Sequence, residues 1–236
     1  MNRTTPELTL PESLLLLALH DQKGTVSIGG YAHIGLGGGL LAELLLGGWV
    51  AIEGDDKRAK LVVQPGAAPP ADPLLTACLE QVRTAKRPRD PGQWVLTFGQ
   101  RKGLTHQIAE GLCQRGILRA EQARVLLIFP RTVFPEVDPG PERRLLEMLE
   151  QAIFTDASID DPHRLALIAI ADAAGLLAPN LGRKRLKTRK DRLAQLRTQD
   201  ASGQAAEAAK AAIEAAVAIS AAMTAASAAV TISVTS

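Results

Sequence analysis

Aromatic side chains are scarce in this chain: four Phe, two Trp and one Tyr make up 3% of 236 residues. Leu and Ala must then fill the interior, and both favour helices. Two cysteines, Cys78 and Cys113, lie too far apart for a metal knuckle or a redox pair; both fall in helix-like segments and read as free thiols. The histidines are His20, His33, His106 and His163, with no i, i+4 pair enclosing a glutamate, so zinc chemistry is not expected. A net charge of only +2 excludes a global electrostatic pull on nucleic acid, and any anion site must come from a local cluster. The opening residues MNRTTPELTL lack an apolar signal core, which leads us to expect a cytoplasmic protein. No nucleophile elbow and no Ser-x-x-Lys occurs. GLGGGL lacks the Lys-Ser/Thr of a phosphate loop, and also the last glycine and leading strand of a dinucleotide fingerprint. Neither a cofactor nor catalysis is expected.

What the chain does contain is helix punctuation. Thr9 with Glu12 fits a capping box, and Pro11 sits in the first turn, where a missing N–H costs little. Leu14 to Leu19 is apolar all round, as in a buried helix. A Gly-rich stretch around Gly35 to Gly39 leads into an apolar helix over Leu40 to Leu46; close helix packing or a flexible loop explains these glycines. Val50 and Ile52, then Leu61 and Val63, alternate about Gly54-Asp55-Asp56 and predict a β-hairpin. After a Pro/Ala loop from Gln64 to Pro73, further helices are expected over Leu104 to Gln114, Pro141 to Ala152 and Asp161 to Leu177. Asp160-Asp161 before Pro162 supplies the last of these with an acidic cap and a proline start. From Ala201 the chain is Ala-rich, and Ala215 to Ser236 is uncharged. Ala, Ser and Thr contribute little transfer free energy, so a packed helix over 203–232 is expected there rather than a membrane span.

Three local features offer an interaction surface. Arg101 and Lys102 precede a helix, with His106 one turn on. Cations oppose the dipole at that end unless they hold an anion, the alternative being a plain solvated pair. The apolar hairpin Val125 to Phe134 carries Ile128, Phe129, Val133 and Phe134 about Pro130-Arg131. It must bury against the core, a second subunit or lipid. The basic run Arg183-Lys184-Arg185, Lys187, Arg189-Lys190 and Arg192 is either a solvated linker or a face for anionic lipid or nucleic acid.

The order of these segments resembles the Golgi phosphoprotein 3 family. The stretches that carry the likeness are LTLPESLLLLALHDQKG, GLGGGLLAELLLGGWVAIE, LCQRGIL and DDPHRLALIAIADAAGLL, covering most of the chain up to about Leu177. The resemblance implies a mainly α fold: one helical domain over 9–236 with a central helix bundle and two or more short β-hairpins, after a short disordered lead at 1–8. It implies a peripheral membrane protein that binds phosphatidylinositol 4-phosphate, with an apolar hairpin (here Leu126 to Phe134) in membrane insertion and self-association. Position by position, the resemblance maps the family's headgroup pocket onto Lys102, which keeps the charge, onto Thr105 and Gly37, which do not, and near Ile28, where the family has a tryptophan. The Ala, Leu, Gly and Arg bias resembles bacterial members.

The function expected is thus a non-enzymatic adaptor on the cytoplasmic face of a membrane. It would hold an anionic phospholipid through Arg101, Lys102 and His106, with Ile128, Phe129, Arg131, Val133 and Phe134 in the membrane or oligomer hairpin. A homo-oligomer through 125–134 and a protein cargo are further expected partners; nucleic acid is not. Two rivals are a protein-binding scaffold and a winged-helix DNA regulator built on Leu40 to Leu46 and a wing with Lys57, Arg58 and Lys60. Against the second, that helix is too apolar to read base edges.

Overall fold

A computed structural model describes residues 8–20, 25–26, 32–54, 59–125, 129–198 and 219. The expected disordered lead, apart from Leu8, and the expected helix at 203–232, apart from Ile219, lie outside these residues; so do Ile28, Lys57, Arg58 and Ile128. In chain order the elements are α1 (Leu10–Ala18), β1 (Leu19–His20), β2 (Thr25–Val26), α2 (Ala32–Leu46), β3 (Val50–Glu53), β4 (Lys60–Val63), α3 (Pro73–Arg83) and α4 (Pro91–Gly99). There follow α5 (Leu104–Gln114), β5 (Glu121–Val125), β6 (Phe129–Val133), α6 (Gly140–Phe154), α7 (Pro162–Ala173), α8 (Leu177–Leu181), α9 (Arg183–Lys187) and α10 (Lys190–Thr198). Mainly helical with short hairpins, the fold is of the expected class.

Helix α1 begins as its residues dictate. Glu12 N donates to Thr9 Oγ1 at 3.3 Å, while Glu12 Oε2 accepts from Thr9 N at 2.9 Å, which closes the capping box. Leu14 to Leu17 are buried, and Leu8, expected in the lead, packs half-buried against the same core.

The glycine stretch is not a loop. It lies inside α2, which runs from Ala32 rather than from Leu40. Each helical glycine costs about 1 kcal/mol relative to alanine, so the packing around α2 must offset several of them. It does so by close approach. A β-carbon at Gly37 would overlap the carbonyl oxygen of Val95 on α4 and lie 2.7 Å from Gly99 N. Gly99 answers in kind, its absent β-carbon making room for the His33 carbonyl. On another face Gly38 receives Ile219, the described residue of the tail, which is fully buried. Helix α2 packs against α1, α3, α4 and α7, and forms the centre of the bundle. Leu40, Leu41, Ala42 and Leu44 are fully enclosed, so the helix proposed to enter a DNA groove is core instead.

Each sheet is a two-stranded antiparallel hairpin. β3 and β4 pair Val50 with Val63 and Ile52 with Leu61, as the alternation predicts. β5 and β6 pair Glu121 with Val133 and Val125 with Phe129. This second hairpin starts earlier than the apolar run suggests. Its first strand is the polar Glu121-Gln122-Ala123-Arg124-Val125, and Leu126, Leu127 and Ile128 are the residues that link the strands. Helix α7 starts on Asp161, whose Oδ1 accepts from His163 N at 2.9 Å, and Gly175 stops it with φ of 72°.

Candidate functional site

The turn between α4 and α5 is built by backbone bonds. Arg101 N donates to Phe98 O at 3.2 Å, Leu104 N to Arg101 O at 3.1 Å, and Gly103 takes φ of 75°. A left-handed residue at the cap position favours glycine, and glycine has no side chain to offer the first amides. Helices α1, α3, α4 and α7 are each capped by a Thr or Asp side chain; α5 has no side-chain cap. Arg101 is half-buried and Lys102 exposed, and neither forms an ion pair among the described residues. Arg101 also makes itself felt at Cys78. Burial pushes that thiol up to about 12, with the Arg101 charge pulling the other way, so Cys78 is an inert thiol at neutral pH.

His106, the third expected headgroup residue, is engaged within the protein. Its Nε2 lies 3.0 Å from Glu110 Oε1, and its ring meets Phe134 edge-on with centroids 5.3 Å apart. That contact brings the start of α5 beside the base of the β5–β6 hairpin. It also corrects the expected hairpin surface. Phe134 is 6% exposed and Val133 7%, both sealed at the hairpin base, because Phe134 follows the last paired residue and turns into the core. Arg131 is exposed opposite Ala123, Phe129 is placed by its backbone in β6, and Ile128 lies outside the described residues.

The basic run has a structural job. Arg189 Nε donates to Ile153 O at 2.8 Å and its Nη2 to Thr155 O at 3.0 Å and Asp156 Oδ1 at 2.6 Å. Arg192 donates to Ala152 O at 3.2 Å and to Ala157 O. Arg185 pairs with Glu150 at 2.6 Å and lies 4.3 Å over the Phe154 ring. The carbonyls at the end of a helix have no partner within it, and its dipole attracts cations there; these arginines serve α6. Arg183, Lys184, Lys187 and Lys190 are left exposed.

The resemblance maps a headgroup pocket onto Gly37, Thr105 and Lys102. Gly37 faces α4 with no room for a β-carbon, and an arginine there would have to pass through the Val95 carbonyl. Thr105 is half-buried and uncharged, and Lys102 with its neighbour Arg101 supplies the positive charge at this turn.

Sequence reasoning missed the ion pair between Arg115 Nη1 and Glu12 Oε2, at 2.7 Å and largely buried, which ties the capping box of α1 to the end of α5. The partners are 103 residues apart, so no local spacing announces it. Among the described residues no helix is long and apolar enough to cross a membrane. A comparison with protein-family models matches residues 10–216 to the family described as Golgi phosphoprotein 3 (GPP34).

Proposed function

The chain belongs to the Golgi phosphoprotein 3 family, and from that premise we propose that it is a non-enzymatic adaptor that docks peripherally on the cytoplasmic face of a membrane. Its α4–α5 turn binds an anionic lipid headgroup through Arg101 and Lys102, and the β5–β6 hairpin serves membrane contact or self-association. The observation that supports this reading is the pairing of two cations that have no carboxylate partner among the described residues with a helix start that has no side-chain cap. Both oppose the helix dipole until an anion joins them.

The magnitudes fit reversible recruitment. Each cation near an anionic leaflet contributes on the order of 1 kcal/mol, weakened by salt. Two give weak binding, and several copies assembled through the hairpin would raise avidity without new contacts. With Gly37 and Thr105 where the family pocket has cations, little preference for phosphatidylinositol 4-phosphate is expected over other anionic lipids at matched charge.

Vesicle co-sedimentation tests the reading. The protein should pellet with phosphatidylcholine vesicles that contain phosphatidylserine or phosphatidylinositol 4-phosphate, and not with phosphatidylcholine alone. Arg101→Ala with Lys102→Ala should lower the affinity about tenfold. Undiminished pelleting of that double variant rejects the headgroup assignment.

A further inference from the structure

At the other end of α5, about 16 Å of helix from Lys102, lies a cavity of about 500 Å³ that the membrane reading does not use. Its titratable lining is Glu43 from α2, Arg115 after α5, Arg144 from α6, and Asp161, His163 and Arg164 at the start of α7, with the hydroxyls of Thr9 and Ser13 beside them. Opposite them Leu145, Met148 and Leu167 form an apolar wall. The volume is in the range of small-ligand pockets, which commonly join an apolar wall to a few placed polar groups.

Donor and acceptor accounting indicates what would fit. The acids are already committed to the protein's own donors. Glu43 Oε1 accepts from Leu10 N at 2.7 Å, and its Oε2 lies 3.8 Å from His163 Nε2. Asp161 accepts from His163 N at 2.9 Å and Arg164 N at 3.4 Å, and its Oδ2 lies 3.1 Å from Arg164 Nε. Arg115 is committed to Glu12, whereas two guanidiniums keep donors to spare. Arg164 engages Asp161 through its Nε, which leaves both of its Nη groups, and Arg144 makes neither an ion pair nor a hydrogen bond among the described residues. A guanidinium has five N–H donors and no acceptor. The surplus facing the cavity is therefore donors, which call for an acceptor-rich guest. A carboxylate's two oxygens are filled by a single guanidinium fork; a phosphate has a third oxygen for a second arginine.

We propose that this cavity binds a small organic phosphate, with the phosphate group between Arg144 and Arg164 and the carbon portion against Leu145, Met148 and Leu167. The site is separate from the α4–α5 turn and does not depend on membrane docking.

Calorimetric titration of the full chain with hexyl phosphate, inorganic phosphate and hexylamine tests it. Hexyl phosphate should bind saturably at one equivalent and more tightly than inorganic phosphate, while hexylamine should give no saturable heat. Arg144→Gln removes an exposed side chain that makes no ion pair or hydrogen bond among the described residues, so the fold should persist while affinity falls at least about tenfold. Phosphatidylserine-containing vesicles should not displace bound hexyl phosphate, which keeps this test apart from the vesicle test. Vesicles containing phosphatidic acid identify the source of the phosphate: pelleting lowered by Arg144→Gln assigns a lipid headgroup, and unaltered pelleting assigns a free metabolite. No saturable hexyl phosphate binding, hexylamine binding in its stead, or an Arg144→Gln protein that binds as tightly as the parent overturns the proposal.

Discussion

The run at 183–192 carries seven cations in ten residues, and the α4–α5 turn carries two. Judged by charge density the run is the better anion site. The structure shows a different distinction, in what each set of cations is already bonded to. Arg185, Arg189 and Arg192 turn onto the last turn of α6 and the residues after it, where carbonyl oxygens and the Glu150 and Asp156 carboxylates receive them. Arg101 and Lys102 instead stand before an uncapped helix start. What separates the two regions is the polarity of the nearest helix end. A cation beside orphan carbonyls is satisfied within the fold, whereas one beside orphan amides gains by sharing an anion with them.

The largest effect should come from restoring a cation where the family pocket carries one. Gly37→Arg drives a side chain into the Val95 carbonyl and should destabilise by more than about 3 kcal/mol, read as loss of the cooperative thermal transition. A folded Gly37→Arg protein with raised affinity for phosphatidylinositol 4-phosphate would break the contrast, since the pocket could then open at the α2–α4 crossing. Next in size is Arg189→Ala. It leaves carbonyls at the end of α6 without their donor and should cost about 2 kcal/mol in chemical denaturation, with vesicle pelleting unaltered. If pelleting fell while stability held, the run would be the lipid site and the turn would not. The converse applies to Arg101→Ala with Lys102→Ala, whose stability should stay within about 0.5 kcal/mol of the parent although vesicle binding drops.

Acid should give the smallest signal. The Arg189 hydrogen bond and charge beside Asp156 hold its carboxyl below the ordinary value of 3.8. A carboxyl depressed in the folded state contributes stability above its unfolded pKa and loses it as pH falls through the folded one. Asp156→Asn should therefore show slightly less acid destabilisation than the parent below about pH 4. A steeper loss in the variant would mean that Asp156 and Arg189 are not coupled in solution.

How much of this could be read ahead of the structure follows the range of the interactions. The Thr9–Glu12 capping box, the Asp161-Pro162 helix start and the β3–β4 hairpin are decided within a few residues, and each forms as expected. The α2 glycines left close helix packing and a flexible loop both open, because propensity counts against a helix there; the packing that decides it comes from Val95 and Gly99 on another helix. Helix α4 itself went unread, although Asp90-Pro91 is the same start signal as Asp161-Pro162. The second hairpin was read from its apolar run. Its first strand is polar, so the pairing shifts toward Glu121 and leaves Phe134 to the core. At the candidate site Arg101 and Lys102 were legible as cations before a helix, but the engagement of His106 by Glu110 and Phe134 was not.

The sequence by itself determined that the chain is mainly helical, where several helices begin, and to which family it belongs, since caps, turns and ordered motifs are local properties of the chain. Tertiary structure alone decided which cations stay available, which apolar residues face inward, and that a charged cavity gathers beyond α5. Those outcomes depend on partners tens of residues away, such as Glu12 for Arg115 and Ile153 for Arg189, and no local pattern encodes a contact whose other half the fold must bring.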